Sequence, residues 1–356
     1  MRVLQLIDSL RPGGAEKMAV NIANALLPHV ESSFLCCTRQ EGILKEEIKP
    51  EVGYLFLNKK SSLDLKAIFA LRKYIAEKNI DILHAHGTSF FNAFIMKVLS
   101  PNLKLMWHDH WGDRVTKKIF SFPVLYICSS FFNGIITVNE KLLNWTNSNL
   151  LCKNTIFIRN FLSNKVLRSK GSPQEDENWT IVYVANFKVP KNHLNLLKAF
   201  KIILKKFPNC ALYLVGRKYN DDYEKQILLF LTQNDLQKKV FLTGEASDVG
   251  IYLEIAKLGV ISSDSEGLSM ALLEYGIAGL PVVCTDVGEN SAVVGQNGKV
   301  VEINNSVALA ENIIFYMENE MERKIDAENF HNLIVDNYTE NKIVPQISRF
   351  YKRSQS

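Results

Sequence analysis

Glu266 and Glu274 are the two carboxylates best placed to handle a charged, hydroxyl-bearing ligand. They lie in the run Ile261-Ser-Ser-Asp-Ser-Glu-Gly-Leu-Ser-Met-Ala-Leu-Leu-Glu274. The pattern predicts a strand over 258–262, a small polar loop, a helix opening at Gly267 and Leu268, and a strand over 281–285. A helix that opens on Ser and Gly straight after a strand offers main-chain N–H groups and the positive end of its dipole, a setting suited to a diphosphate. At 3.6 residues per turn the two glutamates fall within about 80° of each other, two turns apart. One carboxylate then meets a ligand group beyond the phosphates, and the other a group alongside the helix. Read singly, Glu266 is an ordinary acid at a helix start and Glu274 a solvated helix residue. Met270, Ala271, Leu272 and Leu273 argue for a buried helix instead, in which Glu274 needs a partner.

Other chemistry-bearing residues are spread along the chain. His84, His86, His108 and His110 fall at the C-terminal ends of predicted strands, where an open parallel sheet lines its ligand crevice. They read as active-site or as core histidines, with Asp109 placed to orient one of them. Zinc at His108-Asp-His110 lacks a convincingly spaced third or fourth ligand, so no metal site is expected. The adjacent Asp221-Asp222 pair is not placed to hold magnesium. The first loop, Asp8-Ser-Leu-Arg-Pro-Gly-Gly-Ala-Glu-Lys17, brings Gly13 and Gly14, which allow close approach to the main chain. It is not G-x-G-x-x-G, and no convincing acid follows the second strand, so a dinucleotide site is poorly supported.

The elements that must position these residues alternate strand and helix through most of the chain, which predicts parallel sheets covered by helices. A chain of 356 residues, 47% hydrophobic and 22% charged, is an ordinary globular protein long enough for two domains. The expected organisation is a first α/β domain over 1–162, a polar, Gly/Pro-punctuated linker over 163–178, a second α/β domain over 179–338 and a closing helix over 339–356. Six cysteines without a C-x-x-C pair read as buried thiols of a reducing compartment. The chain opens on an apolar strand rather than a basic leader with an apolar core, so no secretory signal is expected. Residues 119–139 carry no charge, but Pro123, Ser129-Ser130 and Asn133-Gly134 interrupt them, predicting a helix, a turn and a strand rather than a membrane span. The net charge is +5, with the basic excess in residues 1–160. That excess, beside Lys117-Lys118-Ile-Phe-Ser-Phe, reads either as a solvated basic face or as a surface for anionic membranes. Nucleic acid is not expected, because no binding motif accompanies the charge.

The run Ser-Glu-Gly-Leu-Ser-Met-Ala-Leu-Leu-Glu-Tyr-Gly-Ile-Ala-Gly-Leu-Pro-Val-Val resembles the E-x7-E signature of retaining GT-B glycosyltransferases of family 4. The resemblance implies two Rossmann-like domains facing across a cleft, 1–162 for the acceptor and 179–338 for the nucleotide-sugar donor, with the C-terminal helices, 339–356 last, packing back on the first. It implies that Glu266 hydrogen-bonds donor sugar hydroxyls, Glu274 the ribose, and the Gly267 and Leu268 amides the diphosphate. Gly-Gly-Ala-Glu-Lys is similar to the family's first glycine loop, with Gly14 beside the donor phosphates. Trp-His-Asp-His-Trp-Gly resembles the segment that sets a histidine against the donor sugar. His108 is then catalytic together with Glu266, and His86 and His110 contact the acceptor. Where members carry G-R-x-x-x-x-K, this chain has Ala185, Asn186 and Lys191. Lys191 matches the lysine on the diphosphate, but Asn186 replaces the arginine and is a weaker partner than a bidentate guanidinium. Arg217 or Lys188 could supply the missing charge.

The resemblance therefore implies a retaining transfer of sugar from a nucleotide-diphosphate donor, UDP-sugar by default, without metal or cofactor. The acceptor is expected to be a glycan or lipid-linked sugar in bacterial surface polysaccharide assembly, met in the cytoplasm or peripherally at the inner face of the cell membrane. The alternatives are another GT-B nucleotide-sugar enzyme such as an epimerase, or a non-catalytic nucleotide-sugar-binding protein.

Overall fold

The computed structural model describes residues 1–163, 179–246 and 248–354. The chain divides into two compact units, Met1–Ser163 with Glu340–Ser356, and Asn164–Thr339. Beyond Ser163, the expected linker over 163–178 lies outside the described residues.

The first unit is built on seven parallel strands: β1 (Arg2–Ser9), β2 (Ser32–Gln40), β3 (Gly53–Phe56), β4 (Ile82–His86), β5 (Lys104–Asp109), β6 (Gly134–Thr137) and β7 (Thr155–Phe157). Their order is β3-β2-β1-β4-β5-β6-β7. The interleaved helices are α1 (Gly14–Ala25), α2 (Leu65–Glu77), α3 (Phe90–Leu99), α4 (Pro123–Cys128) and α5 (Glu140–Asn149). Strands β1 and β4 are apolar on both faces, with Val3, Leu4, Leu6, Ile7, Ile82, Leu83 and Ala85 buried, as a parallel sheet covered on both sides requires. Polar residues interrupt one face only. Gln5 pairs in register with His84, His84 with Met106, and His86 with His108. Because side chains alternate along a strand, these five point to the same side of the sheet.

The second unit holds six parallel strands: β8 (Thr180–Val184), β9 (Ala211–Val215), β10 (Val240–Gly244), β11 (Leu258–Ile261), β12 (Val282–Thr285) and β13 (Lys299–Val301), in the order β10-β9-β8-β11-β12-β13. Its helices are α6 (His193–Lys206), α7 (Asp222–Gln233), α8 (Gly250–Ile255), α9 (Met270–Ile277), α10 (Asn290–Val294), α11 (Ser306–Glu318) and α12 (Glu320–Asn337). The edge strand β13 was not legible, because three residues between a Gly-rich turn and a polar run carry too little pattern. The closing helix α13 (Glu340–Arg353) belongs to the first unit. It buries the stripe Ile343, Val344, Ile347, Phe350 and Tyr351, with the spacing of one helix face. Tyr351 thereby reaches the polar side of the first sheet, its hydroxyl 2.6 Å from His84 Nδ1.

In both sheets the order reverses beside the first strand, between β1 and β4 and between β8 and β11. Loops leaving the carboxyl ends of such strands border the ligand crevice of an open α/β sheet. In the second unit this point is held open by a side chain. Strands β8 and β11 pair only at Leu258↔Ile181 and Gly259↔Val182. Beyond, the Tyr275 hydroxyl accepts from Val184 N at 2.8 Å and donates to Val260 O at 3.2 Å, taking over main-chain bonds the ladder no longer makes. Gly259 is the complement: a Cβ there would stand 2.5 Å from the Tyr275 ring. The charge-free residues 119–139 form short turns, α4 and β6, and among the described residues no helix is long and apolar enough to cross a membrane.

Candidate active site

Two loops of the second unit, 185–192 after β8 and 262–269 after β11, are joined at the reversal point by a dense set of hydrogen bonds. Tyr183 donates its hydroxyl to Lys191 O at 2.7 Å and lies 2.9 Å from Ser263 Oγ. Ser262 Oγ donates to Asn192 O, and Asp264 N to Pro190 O. Asn192, in the left-handed region at φ 45°, caps α6 by accepting from Asn195 N and donates its amide to Asp264 Oδ1 at 2.7 Å. This framework sets Lys191 Nζ 2.5 Å from Glu266 Oε1, and the Ser263 hydroxyl donates to the same oxygen at 2.7 Å. Lys191 and Glu266 are 19% and 10% exposed, so the pair is partly desolvated yet reachable.

Helix α9 begins at Met270, with Ser269 at its N-cap, not at Gly267 and Leu268. Glu266 is therefore a loop residue, and the 80° relation between the two glutamates, which assumed a continuous helix, does not hold. The physical reason is that residues 262–268 spend their polar groups on neighbouring loops: Glu266 on Lys191 and Ser263, and Gly267 O on Glu289 N. Gly288 completes this support at φ +58°, where a Cβ would strike the Glu266 and Gly267 carbonyl oxygens. Glu274 is the fifth residue of α9 and is buried, in a helix whose residues are buried from Ala271 to Ile277. The solvated reading of Glu274 is thereby excluded.

Asn186 does not stand as a free amide in place of an arginine. Its Oδ1 accepts from Arg217 N at 2.9 Å, and Phe187 N donates to Arg217 O, lacing the loops after β8 and β9 together. The approach is so close that a Cβ on Gly216 would land on the Ala185 carbonyl. The Arg217 guanidinium lies over the Tyr219 ring at 4.7 Å. Lys188 bonds through its main chain to Asn186 O.

In the first unit, Gly14 is the first residue of α1, behind Gly13. The four histidines are brought together. His86 Nε2 donates to Gln5 Oε1 at 2.9 Å, and His86 Nδ1 is 3.1 Å from His110 Nε2. His108 stacks against His110 with ring centroids 4.0 Å apart, and neither of its nitrogens has a hydrogen-bond partner. Burial pushes His84 and His110 down to about 3, His84 also feeling His110, and holds His86 and His108 well below the usual range. All four are neutral at pH 7. Asp109 does not orient any of them. It alternates to the opposite side of β5, where Arg114 donates to it at 2.6 and 3.2 Å and Trp111 N at 3.1 Å. Arg114 is itself ringed by Trp107, Trp111, Phe122 and Trp145. The objection that zinc lacked a third ligand rested on sequence spacing alone. One nitrogen from each of His84, His86 and His108 lies within 4.8 Å of the others.

The model of the glycosyl transferases group 1 matches residues 166–332, and that of Glycosyltransferase Family 4 matches residues 12–160, so together they span most of the chain. The chain belongs to the group 1 glycosyltransferases. The capsular polysaccharide biosynthesis glycosyltransferase CapH of Staphylococcus aureus is 25% identical over 82% of this chain and 83% of its own length. The N-acetyl-alpha-D-glucosaminyl L-malate synthase of Bacillus anthracis is 23% identical over 81% of this chain and 78% of its own length. Among solved structures, Anabaena Alr3699/HepE in complex with UDP and glucose superposes with a TM-score of 0.85 at 18% identity, covering 98% of this chain and 99% of that one. The fold of this glycosyltransferase is accordingly GT-B, and the epimerase and non-catalytic alternatives fall away with the family assignment.

Several residues that shape this glycosyltransferase's loops had no signal in the sequence. Tyr275 and Tyr183 act through hydroxyls on main-chain groups of other segments, and Ser263 through its hydroxyl on the Glu266 carboxylate and beside the Tyr183 hydroxyl. Gln5 was detectable as a polar residue inside an apolar strand. Tyr351 lies in the helix expected to return to the first unit, but its bond to His84 had no signal in the sequence.

Proposed function

We propose that this glycosyltransferase moves a sugar from UDP-sugar to a lipid-linked sugar or glycan in surface polysaccharide assembly, with retention of the anomeric configuration. The observation that carries the proposal is the Lys191–Glu266 contact at the carboxyl ends of β8 and β11. An ammonium and a carboxylate on one loop framework suit the two ends of a nucleotide-sugar. Lys191, with the main-chain amides of Gly267 and Leu268, takes the diphosphate; Glu266 takes the sugar hydroxyls and Glu274 the ribose. The bond from the anomeric carbon to the phosphate oxygen breaks, and UDP departs with the electron pair. The acceptor oxygen bonds to the same face, and its proton passes to the departing phosphate. Neutralisation by Lys191 and N–H donors needs no metal at the diphosphate. Arg217 adds charge from the loop that Asn186 anchors. In the first unit, Gly14, His108, His110 and His86 are the candidate contacts to donor sugar and acceptor, His110 being the one of the three histidines that is not fully buried. UDP in the Anabaena complex and the capsular role of the Staphylococcus relative support the donor and pathway readings.

An anionic membrane surface is the second partner in this proposal. Phe120 is 89% exposed and Ile127 60%, with Val124 and Phe131 also exposed and Lys117 and Lys118 beside them. An apolar wedge flanked by lysines suits a headgroup interface. The reaction is tested by incubating the protein with UDP-sugars and a lipid-linked sugar, reading UDP release and the product's anomeric coupling by NMR. Acceptor-dependent release with the donor's anomeric configuration is expected. An inverted product would refute retention, and absence of release from every donor would refute the UDP-sugar reading.

A further inference from the structure

We infer that the first unit carries an oxyanion subsite, formed by Lys59 and Arg39, for a phosphate or diphosphate group on the acceptor. The subsite presupposes the transfer proposed above and narrows its acceptor: a lipid-linked sugar joined through phosphate fits it, and a neutral glycan does not. Lys59 is 6% exposed, and among the described residues its ammonium makes no hydrogen bond or ion pair. Lysine is almost never buried without a partner, because an uncompensated charge away from water is costly. Burial accordingly lowers the Lys59 pKa from its ordinary value, with Asp8 opposing the fall and Arg39 adding to it. An anion beside the ammonium removes that cost.

The main chain holds Lys59 in place. Leu57 N donates to Cys37 O and Lys59 N to Thr38 O, which carries the line of β3 past its last residue and alongside β2. Between them Asn58 takes the left-handed region at φ 48°, which asparagine tolerates better than most side chains. The acids that act on Lys59 are Asp8 and Asp64, and both are committed to neutral donors. Asp8 accepts from the Thr38 hydroxyl at 2.5 Å and the Thr88 hydroxyl at 2.6 Å. Asp64 caps α2, accepting from Lys60 N and Ala67 N. Arg39, 43% exposed, comes no nearer to Asp8 than 3.9 Å, so two cations meet here without a directly bonded carboxylate. An ammonium beside a guanidinium suits phosphate oxygens, of which the guanidinium can bind two at once. Asp8, Thr38 and Thr88 lie at the carboxyl ends of β1, β2 and β4, next to the strand-order reversal, so the subsite borders the first unit's ligand crevice. It sits on the side of β1 away from the histidines of β4 and β5. The two sides are separated by two strand spacings, about 10 Å, a span suited to a sugar and its phosphates.

The test titrates inorganic pyrophosphate into the full-length chain by calorimetry, with Lys191→Met as the parent so that the donor loops are weakened as a competing site. Saturable binding is expected. Adding Lys59→Met should weaken it at least about tenfold, as loss of a charge-assisted hydrogen bond implies. Adding Lys73→Met instead, which removes a lysine paired with Glu77 on α2, should not weaken it. Lys59 has no partner to lose, so Lys59→Met should unfold in urea at a midpoint no lower than its parent, which separates an anion-binding lysine from a structural one. With Lys191 intact, Lys59→Met should keep its affinity for UDP. Its preference for a diphosphate-linked lipid sugar over the matching alkyl glycoside, read as the ratio of kcat/KM, should fall at least about tenfold. Absence of saturable pyrophosphate binding, or binding indifferent to Lys59→Met, would overturn the subsite. A lowered urea midpoint would mark Lys59 as structural, and lost UDP affinity or an unchanged acceptor preference would take the subsite away from the acceptor. The calorimetry needs no turnover, so its failure is distinct from failure of the proposed transfer.

Discussion

Replacing Lys191 by Met separates the structural from the chemical work of the Lys191–Glu266 pair. At 2.5 Å, with side chains 19% and 10% exposed, the pair is neither a surface bridge nor fully buried. Breaking a buried pair costs about 3–5 kcal/mol, and exposed pairs contribute about 0–1. Glu266 would keep the Ser263 hydroxyl as a partner. A loss of about 1–3 kcal/mol is therefore expected for Lys191→Met, and a similar loss for Glu266→Gln. The double variant carries neither charge, so it should return to within about 1 kcal/mol of wild type. Activity should behave oppositely. Removing one preorganised donor to developing negative charge typically costs about 10²–10³ in kcat, and the double variant should be no more active than either single one. Urea unfolding supplies the stabilities and acceptor-dependent UDP release the rates. A folded Lys191→Met within tenfold of wild-type turnover, or a double variant that recovers activity along with stability, would show that the pair only holds the loops together.

Three further outcomes follow from the same framework. Gly288→Ala meets both a left-handed φ and the carbonyls of Glu266 and Gly267, so it should cost more than about 1–2 kcal/mol and also weaken UDP binding; unchanged UDP affinity in calorimetry would separate this turn from the donor loop. Tyr275→Phe strips partners from Val184 N and Val260 O and should destabilise by about 1–3 kcal/mol in urea, a loss within 0.5 kcal/mol of zero being incompatible with the hydroxyl's bridging role. His193 is fully buried, and burial, aided by nearby Lys191 and opposed by a main-chain bond with Ala185, lowers its pKa to about 3 from the ordinary 6.5. Its folded pKa is depressed, so the unfolded chain binds the extra proton. Its contribution is intact above about pH 6.5 and is lost as pH falls towards 3, at about 1.4 kcal/mol per pH unit. Comparing urea midpoints at pH 7.5 and 5.5, His193→Phe should flatten this acid loss, and an unchanged pH dependence would contradict it.

Much of the architecture was readable because parallel strands and their helices alternate in period as well as order. Val3–Ile7 and the runs around Ile82 and Val282 are apolar on both faces, interrupted only by Gln5, His84 and His86 on one side, a pattern that suits a doubly covered sheet. Lys191 and Glu266 were legible as residue types following strands. Their direct contact was not, since it depends on two loops 75 residues apart being laced by Tyr183, Ser262 and Asn192. The helix start was misplaced because Ser-Glu-Gly-Leu carries N-terminal signals, yet its polar groups find partners across the loop before a helix can use them. Asn186 looked like a weakened substitute for arginine because its bond to Arg217 N spans two strands. The histidine cluster was hidden for the same reason: His84 and His108 become neighbours only through the β4–β5 register.

The central claim, that the second unit's reversal-point loops bind a nucleoside diphosphate through Lys191, is tested most directly by thermal unfolding. Wild-type protein and Lys191→Met are each melted with UDP, GDP, ADP and CMP. A ligand at 100 times its Kd stabilises the folded state by about 2.7 kcal/mol, a readily measured rise in midpoint. The expected result is a shift with UDP in the wild type that shrinks or vanishes in Lys191→Met. No shift with any nucleotide, or an equal shift in both proteins, would contradict it.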